Sequence, residues 1–125
     1  MINGILFTLS MLTIQPDAPT PYETITVQPV EWSHAELVRL VEDTFPEAPD
    51  TALRIVNCES RFNPNAVSVT DDHGLFQINR VHFRQGGVAH GVGAAIYDPV
   101  VNSQVARAVY DEAGGFTPWT CYWKG

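Results

Sequence analysis

From residue 31 onward, apolar residues recur at helical spacing in three separate stretches. Ser33 is followed three residues later by Glu36, the reciprocal pair that caps a helix start. Leu37, Leu40, Val41 and Phe45 then repeat every three to four residues, and Pro46 and Pro49 stop the run. This predicts a first helix from Ser33. Asp50 stands where it can cap a second helix, along which Ala52, Val56 and Glu59 fall at i, i+4 and i+7 with Ile55 beside them, until Asn63-Pro64 breaks it. A third helix is expected from Asp98, with Pro99 at the first position, where a missing N–H costs nothing. Val101, Val105 and Val109 stack along it, and Gly114-Gly115 end it.

The segments between these helices lack their period. Asn65 to Gly74 is polar and suits a short hairpin or a loop. Leu75 to Val81 mixes apolar and polar residues and should include a short helical turn. Gln85 to Gly93 contains four glycines and reads as a flexible loop. The tail carries Phe116, Trp119, Tyr122 and Trp123. The fold class is therefore mainly α (α+β), with room for a short β-hairpin.

Before residue 31 the pattern changes. Ile5, Leu6, Phe7, Leu9, Met11, Leu12 and Ile14 make an apolar stretch, but no Lys or Arg precedes it and no A-x-A-like site follows. It reads equally as an export signal or as a short segment that packs on the domain or on a neighbour. Gln15 to Val30 holds Pro16, Pro19, Pro21 and Pro29 and reads as an extended linker. The expected organisation is residues 1–30 as apolar segment plus linker and 31–125 as the folded domain, without internal repeats.

Charge narrows the partners. The net charge is −7, and the seven basic residues form no run, which argues against nucleic acid. No stretch approaches the roughly 20 apolar residues of a membrane span. Cys58 and Cys121 either close one long loop as a disulfide or remain two buried thiols. Asp71, Asp72, His73, His82 and His90 are loosely grouped, but none shows the i, i+4 pairing of a helical zinc site, so neither a metal nor a cofactor is expected. The exception to the apolar pattern is Glu59. An unpaired carboxylate ending a buried stripe is costly. It signals either chemistry or a salt bridge to Arg54 or Arg61.

Three segments give Glu59 a context: Glu59-Ser-Arg-Phe-Asn-Pro-Asn-Ala-Val-Ser68, Gly74-Leu-Phe-Gln-Ile-Asn79, and Asn102 through Tyr110 to Trp119. In this order they resemble the lysozyme-like superfamily, closest to soluble lytic transglycosylases and the phage-type and goose-type muramidases. The resemblance covers roughly residues 33 to 123. It implies a small α-rich domain with a glycan cleft, and cleavage of the β-1,4 bond between N-acetylmuramic acid and N-acetylglucosamine in peptidoglycan. Glu59 would be the general acid and then the base, most simply giving 1,6-anhydro ends.

The resemblance also implies roles for other residues. Ser68 and Gln77 would stand near Glu59. The residues themselves show Gln77 and Asn79 alternating with Phe76 and Ile78, which can bury the apolar pair and turn both amides to one surface, toward sugar or only toward backbone groups. Tyr110, or Tyr97 in its place, would reach toward Glu59. Trp119 would be a stacking platform or a core anchor, and a Cys58–Cys121 disulfide would tie the aromatic tail to the Glu59 helix. Asp72 departs from the transglycosylase pattern. It stands two residues before the Gly of Gly-x-x-Gln-Ile-Asn, where animal-type lysozymes carry a second carboxylate, and it admits hydrolysis as the alternative outcome. A non-catalytic glycan-binding or virion module is the reading from another class. The implied partner is the glycan strand, met by a monomer that is extracellular, in the cell envelope or on a virion.

Overall fold

The computed structural model describes residues 30–85 and 93–125. The apolar segment, the proline-rich linker and most of the glycine-rich loop, His90 included, lie outside the described residues.

Three helices form the frame. Helix α1 is His34–Thr44, α2 is Pro49–Ser60 and α3 is Pro99–Ala113. The Ser33–Glu36 capping box is formed, with the Glu36 amide donating to Ser33 Oγ at 3.1 Å and the Ser33 amide to Glu36 Oε2 at 3.3 Å. Asp98 caps α3 through the amides of Val100 and Val101, and Gly114 closes it at φ 78°. Helix α2 departs from expectation at both ends. Ala48, not Asp50, occupies its cap, because Pro49 takes the first helical position and places Asp50 inside the first turn. It stops at Ser60, before Asn63-Pro64, because Arg61 and Phe62 both turn left-handed, at φ 53° and 59°.

The polar stretch after α2 forms a hairpin. Strand β1 (Asp72–His73) pairs antiparallel with β2 (Ile78–Asn79), placing Asp72 opposite Asn79 and His73 opposite Ile78. Val67 bridges to His73 on the other side. The expected helical turn is present as a 3-10 turn, Arg80–His82, after the strand.

Helix α1 packs on both α2 and α3. Val41, Phe45, Ala52, Ile55, Val56, Leu75, Phe76, Ile96 and Val105 are fully buried between the helices and the hairpin. Phe45 is the aromatic hub, with ring centroids 5.5 Å from Phe76 and 5.1 Å from both Tyr110 and Phe116. A side chain of this size contributes about 2–3 kcal/mol by burial alone. Among the described residues no helix is long and apolar enough to cross a membrane.

Candidate active site

The last turn of α2 presents Glu59. Ala52, Ile55 and Val56 anchor one helix face in the core, and Glu59 continues that face just where it emerges. Among the described residues the carboxylate makes no salt bridge. Arg54 instead donates through Nη1 to the Cys121 carbonyl at 3.1 Å, and the Cys121 amide donates to Glu59 Oε1 at 3.1 Å. The Cys58–Cys121 disulfide is formed and fixes that peptide beside the helix. Glu59 is half-buried, and its pKa lies above the ordinary 4.5, chiefly because burial disfavours the charged form. The Cys121 N–H and the Lys124 charge oppose this rise, and the Asp72 charge adds to it.

The hairpin supplies the facing wall. Asp72 Oδ2 accepts from Ser68 Oγ at 2.9 Å and from Thr70 Oγ1, while Oδ1 accepts from Asn79 Nδ2 at 3.0 Å. Burial pushes this carboxyl up, but hydrogen bonds from Thr70, Asn79 and Ser68 outweigh it and hold the pKa below the ordinary range. The two carboxyl groups are thus driven apart, Glu59 toward its protonated form and Asp72 toward its ionised form. Both line one cleft with Gln77, Ile78, Asn79, His82, Val109, Pro118, Trp119 and Thr120.

The alternation read from the sequence holds here, since Phe76 and Ile78 are buried while Gln77 and Asn79 line the cleft. Their amides are largely engaged. Gln77 has a left-handed backbone, and its Nε2 donates to the carbonyls of Ala66 and Gly74, both at 3.0 Å. Asn79 gives Nδ2 to Thr70 O and Asp72, and its Oδ1 takes the Val81 amide. Ser68 does not line the cleft and acts on it through Asp72.

The aromatic candidates divide. Trp119 is buried, donates Nε1 to the Phe76 carbonyl at 2.9 Å, and still shows part of itself to the cleft. Neither tyrosine lines it. Tyr97 pairs its hydroxyl with His73 Nδ1 at 2.7 Å, and Tyr110 packs against Phe45 and Phe116 under the Arg107 guanidinium. Among the described residues no group of three or more His, Cys, Asp or Glu could hold a metal ion.

The residues that hold the hairpin in place carry no pattern of their own in the sequence. Ser60 Oγ donates to the Leu75 carbonyl at 2.6 Å and so ties the turn to the residue next to Glu59. Asn102, fully buried on α3, accepts from the Phe76 amide at 2.8 Å and donates to the carbonyls of His73 and Ile96 at 2.9 and 3.0 Å. Gly74 sits against it at φ 78°, where a Cβ would lie 2.3 Å from Asn102 Nδ2. His73 is buried beneath the strand, with Nε2 2.6 Å from Asp71 Oδ1, and Arg80 holds the other side of Asp71. The signal for Ser60 and Asn102 lay in the same matched segments as Glu59, but only a fold reveals their partners.

A small helical domain with a half-buried acid facing a hairpin across a cleft defines a lysozyme-like protein. The family model of the transglycosylase SLT domain matches residues 37–113, more than half of the chain and nearly all of this frame, and the chain belongs to that family. No curated protein and no solved structure matches it.

Proposed function

We propose that this protein cleaves the β-1,4 glycosidic bond between N-acetylmuramic acid and N-acetylglucosamine in peptidoglycan, with Glu59 as the proton donor. One observation carries the reading. In a cleft of an SLT-family domain, burial raises the pKa of a carboxyl group that no cation among the described residues pairs. Departure of a glycosidic oxygen needs a proton, and a carboxyl of raised pKa keeps one to higher pH than an ordinary carboxyl does. (Lysozyme is the standing example of that principle.) Gln77, its nitrogen already engaged by two carbonyls, offers the amide oxygen to sugar N–H and O–H donors. Trp119 backs the floor of the cleft.

Once Glu59 has given up its proton it is the base for the second step. It takes the proton from the 6-hydroxyl of the muramic acid residue, which closes on C1 and gives a 1,6-anhydro end. The family assignment supports this outcome. A second reading, hydrolysis by water, is favoured by Asp72: an ionised carboxylate in the same cleft can stabilise the oxocarbenium ion or hold a water. Mass spectrometry of digested sacculi separates the two, since anhydro ends mean transglycosylation and reducing ends mean hydrolysis. Release of neither product would overturn the catalytic reading and leave a glycan-binding module. The substrate places the working protein in the bacterial envelope. We further propose residues 1–30 as a separate segment joined to the catalytic domain 31–125.

A further inference from the structure

The cleft does not end at His82. A second cavity begins there, sharing His82, Val109 and Pro118 with the first and continuing to Gln85, Glu112 and Ala113. Its far end is polar. Gln85 donates through Nε2 to Glu112 Oε2, so its Oε1 is left to accept, and the His82 Nδ1 beside it at 2.5 Å carries the hydrogen. The exposed Glu112 carboxylate thus stands at one end of a continuous groove that holds Glu59 and Asp72 at the other.

No Lys or Arg lines either cavity among the described residues. The undescribed segments 1–29 and 86–92 contain no Lys or Arg. Lys124 acts on Glu59 from outside the lining, and Arg80 is bound in its pair with Asp71. With Glu59 protonated in its working form, Asp72 and Glu112 remain as fixed negative charges along the groove.

Muramic acid presents two electrostatic faces to such a groove. Where a peptide is attached, its lactyl group is a neutral amide, and the carboxylates of the peptide lie farther out in solvent. Where the peptide has been removed, the lactyl group is itself a carboxylate on the sugar, repeated along the strand. Two carboxylates about 6 Å apart in water repel enough to change binding about threefold, and salt screens that over roughly 8 Å. On the reading of the protein as a peptidoglycan-cleaving enzyme, we infer that the His82–Gln85–Glu112 end of the cleft selects peptide-bearing glycan strands and disfavours denuded ones, with the Glu112 carboxylate as the specificity-determining group.

The test uses soluble glycan strands, half of them stripped of peptide by an amidase, cleaved by the full-length protein at about 0.05 M and at about 0.5 M salt, where the Debye length is roughly one third as long. The wild type should cleave peptide-bearing strands at least threefold faster at low salt, and the ratio should approach one at high salt. Glu112→Gln should raise cleavage of denuded strands about threefold at low salt while leaving peptide-bearing strands within twofold. Equal or faster cleavage of denuded strands by the wild type, or an unchanged ratio in Glu112→Gln, overturns the inference while leaving the catalytic reading intact. Cleavage of neither substrate overturns both.

Discussion

The Asn102 amide makes three of the buried hydrogen bonds that hold the Asp72–Gln77 hairpin to the helical frame, and Asn102→Ala is the substitution that tests its weight. The change leaves the Phe76 amide and the carbonyls of His73 and Ile96 without their partner, all at positions closed to water. Each buried group stripped of its partner costs about 1–3 kcal/mol, and the three are not independent. The expected loss is therefore about 3–5 kcal/mol, a large part of the 5–15 kcal/mol typical of a whole domain. Urea unfolding followed by tryptophan fluorescence measures it, with the slope kept as a check that only stability has changed. Asn102→Asp keeps the acceptor for Phe76 but sets carboxylate oxygens against two carbonyls, so it should be at least as damaging. A loss below about 1 kcal/mol for Asn102→Ala, at unchanged slope, would refute the argument that this amide anchors the hairpin.

Gly74→Ala should destabilise for a related reason, since its Cβ would meet Asn102 Nδ2 at 2.3 Å in a left-handed backbone; thermal denaturation beside Gly114→Ala, which has open space around it, separates the clash from the backbone cost. Replacing Cys58 and Cys121 together by alanine should lower stability by about 2–4 kcal/mol, because the bridge closes a separation of 63 residues, and should reduce activity further by freeing the peptide that contacts Glu59; chemical denaturation and a lysis assay read the two effects. Activity should fall as pH rises through the raised Glu59 pKa, and Asp72→Asn should remove any loss seen at low pH; rate profiles of both proteins check this. The raised pKa also fixes a stability sign. The native state holds the Glu59 proton more tightly than the unfolded chain does, so this contribution is present below the ordinary 4.5 and lost as pH rises through the native value. Glu59→Gln should therefore be at least as stable as the wild type at pH 7, with the difference shrinking toward pH 4, as calorimetry would show.

What could be read from the sequence was local. The Ser33–Glu36 box, Asp98-Pro99 and Gly114 each act within four residues, and all three helix ends they mark are where they were expected. The start of α2 was misplaced because Pro49 and Asp50 are both good first-turn residues and the pattern alone does not rank them. The placement of Glu59, Asp72, Gln77 and Asn79 along one cleft followed from matched segments. The hydrogen bonds that make the cleft are long-range: Glu59 meets Cys121 across 62 residues, Phe76 meets Asn102 across 26, and Ser60 meets Leu75 across 15. No periodicity encodes such pairs. For the same reason Tyr97 and Tyr110, expected near the site from the resemblance, belong to other clusters, and Asn79 has both ends of its amide engaged within the hairpin.

The most direct test of the account is release of soluble muropeptides from purified sacculi by Glu59→Gln beside the wild type, with circular dichroism confirming that both are folded. The variant keeps the acceptor for the Cys121 amide and loses only the titratable proton. Activity lower by orders of magnitude in a folded variant is the predicted result. Equal release by the two proteins would contradict Glu59 as the proton donor.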